Sequence, residues 1–235
     1  MNIIKKKFNR LLSSKRVLKL IKLYHQIFGE KDVGSLHFDF SSEPPRLDII
    51  QWFIDNNNYK SYLEIGCFSN ELFNQVSCKT KIGIDPVSGG NLRMTSDEFF
   101  KNCDQKFDCI FIDGLHEYSQ VKKDIKNSLN FLNHNGIILL HDCLPSNIFN
   151  QAMPRCQYDW NGDVWKAIVE FRTKKNLDIY TCFADQGIGV IFDRENRNIL
   201  DIDTKDFKKL KFKQYYENYK IFMNVIKFDQ LKQLL

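Results

Sequence analysis

Short hydrophobic runs alternate with longer amphipathic segments through the middle of the chain. Four runs are rich in β-branched residues and end at a polar residue or a glycine; they span 62–66, 81–85, 108–113 and 137–142. The segments between them are long enough for crossover helices. This alternation predicts a doubly wound, mostly parallel α/β sheet with helices on both faces.

The segment after the third run has the apolar stripe of an amphipathic helix. The stripe consists of Tyr118, Val121, Ile125, Leu129 and Leu132. Gly136 is predicted to end this helix as its C-cap, and Asp163 to cap a later helix that carries Trp165 inward. Residues 177–183 and 188–192 are predicted strands, close enough in the chain to pair as an antiparallel hairpin.

Both ends of the chain carry helical patterns. Residues 3–28 interleave apolar and basic side chains at mostly helical spacing, and residues 206–235 are rich in Lys and aromatic residues. A Glu43-Pro44-Pro45 break precedes a further helix that ends at 56–58. We therefore expect a basic helical arm at 1–34, one domain at 35–205, and a C-terminal helical extension at 206–235 packed on that domain.

Composition adds a strong charge asymmetry. The 235 residues are 43% hydrophobic and 27% charged, which suits one globular domain. Residues 1–29 hold eight Lys and Arg and no acid, and removing these from the formal charge of +5 leaves −3 for the rest. The body therefore gives no electrostatic reason to expect nucleic-acid binding. The arm is expected to pack on the body or on a second subunit of a homodimer, or to contact an anionic membrane surface.

The cysteines indicate the compartment. Seven are scattered without a CxxC pair, which is typical of a reduced, cytoplasmic protein. No apolar run approaches the length of a transmembrane helix, and the arm lacks the core of a signal peptide. We expect a soluble cytoplasmic protein.

Polar residues end each predicted parallel strand, where ligands bind in open α/β sheets. The first strand ends in Glu64-Ile65-Gly66-Cys67-Phe68, with one glycine that lets backbone approach a ligand. Asp85 ends the second strand, where a carboxylate can bind ribose hydroxyls. The pair predicts a nucleoside site, although a turn glycine and a solvated carboxylate are an alternative interpretation.

The missing glycines narrow the choice of nucleoside. The chain has neither G-x-G-x-x-G nor G-x-x-x-x-G-K-[ST], so it lacks the usual cradle for a pyrophosphate. This disfavours a dinucleotide oxidoreductase. A cofactor with ribose and no phosphate fits better, and S-adenosyl-L-methionine (SAM) is the obvious one.

Two sequence blocks resemble a known enzyme group. K-F-D-C-I-F-I-D-G-L-H-E-Y at 106–118 and N-G-I-I-L-L-H-D-C at 135–143 are similar to class I SAM-dependent methyltransferases, in the group that includes macrocin-type sugar O-methyltransferases. The resemblance covers roughly residues 45–192. It implies a seven-stranded Rossmann-like sheet whose last strand is antiparallel.

The resemblance also implies the cofactor site. Glu64 and Gly66 would line the methionine end, Asp85 would hold the ribose, and Ser96 with Asp97 would lie near the adenine. The full implied cofactor-binding set is Glu64, Gly66, Cys67, Phe68, Asp85, Ser96, Asp97 and Asp113. Cys67 and Cys143 are interpreted as packing residues because no feature lowers a thiol pKa there.

On the acceptor side, the resemblance implies a metal and a base. Asp113 and Asp142 would bind a divalent ion such as Mg²⁺, and His116 would act as general base. Relatives have Glu-Asp where this chain has His141-Asp142, and this departure counts against the implied metal. A histidine can take a proton from a sugar hydroxyl near neutral pH, aided by a metal that polarises the oxygen. The implied catalytic set is His116, Asp113 and His141.

The leading hypothesis is therefore SAM-dependent methylation of a hydroxyl in a sugar, nucleotide-sugar or glycan precursor. One alternative keeps SAM but methylates nitrogen or a phosphate-derived group without a metal. Another is a non-catalytic binding protein of this fold that docks through its basic arm. Structural roles also stay open: Asp113 as a helix cap, His116 as a loop histidine, and His141 as a residue that orients Asp142.

Overall fold

The computed structural model describes residues 14–234, and its centre is a seven-stranded sheet. The strands are β1 (Ser61–Ile65), β2 (Thr80–Ile84), β3 (Phe107–Ile112), β4 (Leu132–Leu140), β5 (Asp178–Cys182), β6 (Ile188–Phe192) and β7 (Val225–Ile226). Their spatial order is β2-β1-β3-β4-β6-β5-β7. The six strands predicted from the hydrophobic pattern are all present.

Strand directions confirm the mostly parallel sheet. β1 pairs in parallel with β2 and β3, and β3 pairs in parallel with β4. β6 is antiparallel to both β4 and β5, as predicted for the hairpin. β7 comes last in the chain and is parallel to β5. The expected antiparallel last strand, which was matched to the second strand of the hairpin, is therefore confirmed in β6. The C-terminal segment adds β7 after it, and that strand was not predicted.

Helices flank the sheet. They are α1 (Lys15–Phe28), α2 (Arg46–Asn56), α3 (Glu71–Gln75), α4 (Ser96–Asn102), α5 (Tyr118–Asn130), α6 (Trp165–Phe171), α7 (Phe212–Met223) and α8 (Phe228–Lys232), with a 3₁₀ turn at Phe207–Lys209. Among these helices none is long and apolar enough to cross a membrane.

The alternation of strand side chains produces two hydrophobic cores. In β3, Ile110 and Ile112 face the core formed with α4, α5, α6 and α7. Cys109 and Phe111 face the opposite core, formed with α2, α3 and α8. Successive strand residues point to opposite faces, so a strand buried on both sides is apolar throughout. Two such cores confirm the doubly wound architecture.

The boundary between α5 and β4 differs from the prediction. α5 ends at Asn130 with Phe131 as its C-cap, and Leu132 already belongs to β4. Gly136 lies inside β4, so its predicted role as a C-cap is wrong. A Cβ at Gly136 would lie 2.8 Å from the carbonyl oxygen of Asp108. The glycine therefore serves a close approach between neighbouring strands.

Asp163 also has a different role from the predicted one. Its side chain does not cap α6, whose N-cap is Val164. Instead Asp163 Oδ1 accepts a hydrogen bond from the backbone N–H of Tyr118, at 2.6 Å. Asp163 thus satisfies a donor at the start of α5, one of the groups that a helix leaves unpaired. A sequence pattern reports local capping and gives no sign of this distant partner.

The described parts of the two terminal segments differ in how they join the body. Ser14 is the N-cap of α1, and its hydroxyl accepts from Val17 N–H. Residues 1–13 of the predicted arm lie outside the described residues. The C-terminal segment packs α7 on one face and α8 on the other, and β7 extends the edge at β5. The predicted extension is therefore helical and also contributes to the sheet.

Candidate active site

A cavity of about 800 Å³ opens at the carboxyl ends of the parallel strands. It lies where an open α/β sheet is expected to bind a ligand. Most of the residues predicted for the site line it: Gly66, Phe68, Asp85, Ser96, Asp97, Asp113, His116, His141 and Asp142. The fold thus brings together side chains from the ends of four strands.

Gly66 permits the close approach of two strand ends. Its φ is +91°, and a Cβ there would lie 2.2 Å from the carbonyl oxygen of Asp113. Only glycine meets both conditions without displacing the β3 end. Gly66 therefore keeps the Asp113 backbone directly beside the turn that follows β1.

Asp85 holds the loops on one side of the cavity. Its Oδ1 accepts from the backbone N–H groups of Val87 and Ser88, at 2.7 and 2.8 Å. Its Oδ2 accepts from Phe68 N–H at 3.1 Å, which ties the β1 loop to the β2 loop. The carboxylate therefore has a structural role and also faces the cavity in which a ribose was predicted.

Ser96 and Asp97 border the same part of the cavity from the start of α4. Ser96 is buried, and its hydroxyl donates to Asp124 Oδ1 at 2.6 Å. Burial raises the pKa of Asp124 to about 6. Asp97 is half exposed. These two residues therefore provide one buried and one solvated polar group beside the cavity.

Glu64 and Cys67 are not among the residues that line the cavity. Glu64 is buried and accepts a hydrogen bond from the Tyr62 hydroxyl at 2.7 Å. Burial raises the pKa of Glu64 to about 7. Burial also raises the pKa of the Cys67 and Cys143 thiols, which fits packing rather than nucleophilic roles.

The other side of the cavity holds a compact cluster of carboxylates and imidazoles. His116 Nε2 lies 3.3 Å from Asp113 Oδ1, and His116 Nδ1 lies 3.0 Å from Asp142 Oδ2. His141 Nδ1 lies 3.3 Å from Asp113 Oδ1 and 3.4 Å from Asp142 Oδ2. Both histidines therefore bridge the same two carboxylates.

The charges of this cluster shift its pKa values. Burial alone would lower the pKa of His116, but the hydrogen bond to Asp113 and the charge of Asp142 outweigh it and raise the pKa. The pKa of His141 is raised more strongly for the same reason. Burial would raise the pKa of Asp113, yet His141 and His116 hold it well below its usual range. Asp113 is therefore a persistent carboxylate.

Asp113 does not cap α5. The N-cap of that helix is Glu117, and its first backbone N–H is satisfied by Asp163. The alternative interpretation of Asp113 as a cap is therefore wrong. The His116 ring stacks on the Trp160 ring, with centroids 5.4 Å apart and planes 21° apart. This contact fixes the imidazole against the wall of the cavity.

Two further residues reach this cluster and were not predicted. Arg46 Nη1 lies 2.8 Å from His141 Nε2 and 4.0 Å from Asp113 Oδ2. Asp185 Oδ1 lies 3.3 Å from His141 Nε2. Asp185 follows β5, which ends at the same sheet edge as β1–β4, so the strand-end rule identifies it once β5 is included. Arg46 starts α2 and carries no comparable sequence signal.

The cluster contains donors for a metal ion. One atom each from Asp113, His141 and Asp142 can be chosen so that all three lie within 4.8 Å of one another. Asn161 Nδ2 donates to Asp142 Oδ1 at 2.8 Å, which orients that carboxylate. The donor set therefore fits a divalent ion. Its nitrogen ligand is more typical of a transition ion than of Mg²⁺.

Comparison with known sequences finds a family match in the segment that contains much of this cavity. Residues 84–143, about a quarter of the chain, match a family model described as a methyltransferase domain. The matched segment contains Asp85, Asp113, His116, His141 and Asp142. No curated protein sequence matches the chain significantly.

Comparison with solved structures identifies the fold. A candidate caffeoyl-CoA O-methyltransferase from Staphylococcus aureus is similar with a TM-score of 0.50 and 15% identity, over 81% of this chain and 99% of that one. The O-methyltransferase TomG from Streptomyces achromogenes, solved with SAM, has a TM-score of 0.47 and 12% sequence identity. The match covers 82% of this chain and 96% of TomG. The sheet and its flanking helices have the Rossmann-like methyltransferase fold.

Proposed function

We propose that this chain is a SAM-dependent methyltransferase that methylates a hydroxyl group. The observation that carries the proposal is the single cavity shared by two groups of residues. Gly66, Asp85, Ser96 and Asp97 border one part of it, and the carboxylate and imidazole cluster borders the other. One cavity can therefore hold a nucleoside cofactor and an acceptor side by side.

The residues of the first group fit the cofactor. A volume of about 800 Å³ is in the range of small-molecule sites. Gly66 and Phe68 would hold the methionine end, Asp85 the ribose, and Ser96 with Asp97 the adenine. When bound, SAM supplies a methyl group that is already activated on a sulfonium. The protein's own task is then alignment of the acceptor and removal of its proton.

His116 would remove that proton. In the neutral ring Nδ1 carries the hydrogen, because the Trp160 carbonyl oxygen and Asp142 Oδ2 beside it can only accept. Nε2 would then take the proton of the acceptor hydroxyl, and the two carboxylates would stabilise the imidazolium that forms. The stacked Trp160 ring holds the imidazole in place. A sugar, a nucleotide-sugar or a glycan precursor is the proposed acceptor class, since aromatic and polar groups of Arg155, Tyr158 and Trp160 also line the cavity.

A divalent metal would be held by Asp113, His141 and Asp142. Such an ion polarises an acceptor oxygen and lowers the pKa of its hydroxyl. Arg46 Nη1 and Asp185 Oδ1 both lie beside His141 Nε2, at 2.8 and 3.3 Å, so Nδ1 is the ring nitrogen that would be offered to an ion. The replacement of an acidic residue by His141 is therefore compatible with a metal, with a preference for ions that accept nitrogen ligands.

A second candidate is metal-independent transfer, and Arg46 favours it. Its guanidinium already places a positive charge 4.0 Å from Asp113 Oδ2 and in contact with His141. Together with the histidines, this charge can balance three carboxylates without an ion. This version would suit acceptors that need no polarised hydroxyl, such as nitrogen.

Calorimetry with SAM and S-adenosylhomocysteine tests the proposal. We expect micromolar binding of both, weakened about tenfold or more by Asp85→Asn, since the ribose contact loses its charge. The exposed Asp104→Asn is the matched control and should bind normally. A thermal melt of each variant separates lost binding from lost folding. Absence of binding to the unaltered chain contradicts the proposal.

Transfer itself is tested with SAM labelled on its methyl group and a panel of sugar nucleotides. Binding of SAM without transfer to any acceptor class would favour a non-catalytic binding protein. Transfer that survives excess EDTA would favour the metal-independent candidate.

A further inference from the structure

One face of α1 is apolar and exposed. Its side chains recur at spacings of three and four residues, so they form a single stripe along the helix. The stripe consists of Leu20, Leu23, Tyr24, Ile27 and Phe28. Their exposed fractions run from 51% to 71%, far from the burial expected of a helix face that packs on its own domain.

A different face of α1 holds the helix on the body. Leu18 is buried, and the Lys22 ammonium lies 4.4 Å from the centroid of the Phe149 ring. His25 Nε2 lies 2.8 Å from the carbonyl oxygen of Pro154. These contacts fix the rotation of the helix, so the apolar stripe is presented outward rather than shared with the core.

Positive charge lies along one flank and at the amino end of the stripe. Lys15, Arg16 and Lys19 are exposed on α1, and residues 1–29 carry eight Lys and Arg without one acid. A second copy of the same helix would bring like charges together, which opposes pairing through this face. A partner with a negatively charged surface and an apolar interior could pair with the basic residues and also bury the apolar stripe.

We propose that α1 docks on an anionic lipid bilayer as an interfacial helix. Such helices bury an apolar face at the boundary between headgroups and acyl chains while Lys and Arg remain among the headgroups. Basic residues near anionic headgroups add to the attraction. The four basic residues at 5, 6, 7 and 10 continue the same composition toward the amino end. This inference does not depend on the proposed catalytic activity.

One segment, residues 149–160, connects the docking helix to the cavity. Phe149 and Pro154 contact α1, and the same segment continues to Arg155, Tyr158 and Trp160, which line the cavity. The lipid-facing helix and the proposed acceptor wall are therefore neighbours in the structure.

Vesicle flotation of the full chain tests the proposal. We expect binding to vesicles of phosphatidylcholine mixed with phosphatidylserine, and roughly tenfold or more weaker binding to phosphatidylcholine alone. The double variant Leu20→Ser, Ile27→Ser should lose binding to the mixed vesicles by a similar factor. The matched control is Ile199→Ser, Ile221→Ser, which changes two exposed apolar residues elsewhere and should bind like the unaltered chain.

A second pair of variants isolates the charge. Lys15→Gln with Lys19→Gln should weaken binding to mixed vesicles, whereas Lys174→Gln with Lys175→Gln, exposed on another surface, should not. The proposal is overturned if the unaltered chain binds neither vesicle type, or if it binds both types equally. It is also overturned if the stripe variant keeps its lipid binding, or if that variant converts a dimer to a monomer without a lipid effect.

Discussion

The Nδ1 atom of His116 lies 3.0 Å from Oδ2 of Asp142, a residue that follows a different strand. Asp113, which follows β3, contacts the other ring nitrogen. The imidazole therefore joins the ends of β3 and β4 and has a carboxylate at each nitrogen. This arrangement stabilises a protonated ring, which is the product of general-base action.

Replacement of His116 should affect turnover and not cofactor binding. We expect His116→Ala to lower kcat by about 10²- to 10⁴-fold, the usual contribution of a general base. Its affinity for SAM should change little because the cofactor residues lie on the other side of the cavity. Steady-state kinetics and calorimetry measure the two effects, with the exposed His134→Ala as control. Unchanged turnover would remove His116 from the proposed mechanism.

Manganese binding should distinguish the two candidates for the acceptor cluster. If Asp113, His141 and Asp142 hold an ion, calorimetry should detect Mn²⁺ binding that Asp142→Asn abolishes. The exposed Asp104→Asn should leave that binding intact. Failure of the full chain to bind Mn²⁺, together with EDTA-resistant activity, would support transfer without a metal.

Arg46 should compete with a bound ion. Its guanidinium is 4.0 Å from Asp113 Oδ2, and a unit charge at that distance is worth about 1 kcal/mol even in water. Arg46→Gln is therefore expected to tighten Mn²⁺ binding at least about fivefold. Weaker Mn²⁺ binding in this variant would instead mean that Arg46 orients the ligands, which its contact with His141 also permits.

Glu64 should make stability depend on pH. Burial raises its pKa from 4.5 to about 7, so the folded chain keeps a proton that the unfolded chain has released. The contribution of Glu64 to stability is then fully present below pH 4.5 and is lost as the pH rises through about 7. Glu64→Gln should remove this loss, which is roughly 3 kcal/mol for such a shift.

Urea unfolding at about pH 5 and about pH 8 measures that difference. The exposed Glu71→Gln is the matched control and should keep the pH slope of the unaltered chain. Equal slopes for the Glu64 variant and the unaltered chain would show that the buried carboxyl is not the titrating group.

Asp163 should stabilise the start of α5. Its carboxylate accepts from Tyr118 N–H and lies 3.4 Å from the Lys166 ammonium. Asp163→Ala leaves a buried donor unsatisfied, at a cost of about 1–3 kcal/mol in the free energy of unfolding. Asp163→Asn keeps an acceptor oxygen and should cost less. Thermal melts check this order, and an effect no larger than that of the exposed Asp201→Ala would contradict it.

The sheet was predictable because its signal is local. β1–β6 are apolar runs of limited length, each ended by polar or glycine residues, and both properties are visible in the sequence. β7 was not predictable, since Val225 and Ile226 form a two-residue strand inside a helical pattern. Its pairing with β5 depends on tertiary packing, which overrides weak local preference.

The candidate site also contains residues that could be predicted from the sequence and residues that could not. Asp85, Asp113 and His141-Asp142 were predicted because each directly follows a parallel strand. Arg46 was not predicted. It reaches the cluster from the amino end of α2, and its partners are 67 to 139 residues away in the chain. Contacts of that separation follow from packing and leave no periodic trace in the sequence.

The position of β7 has a consequence for synthesis. Thr181 and Phe183 donate to the carbonyl oxygens of Asn224 and Ile226, so the outer edge of β5 is covered by a strand that the ribosome makes last of the seven. While the growing chain stops short of residue 225, that edge is open to pairing with other chains. Until the last strand emerges and pairs, a strand of another chain can therefore add to this edge, and completion of the C-terminal segment closes it.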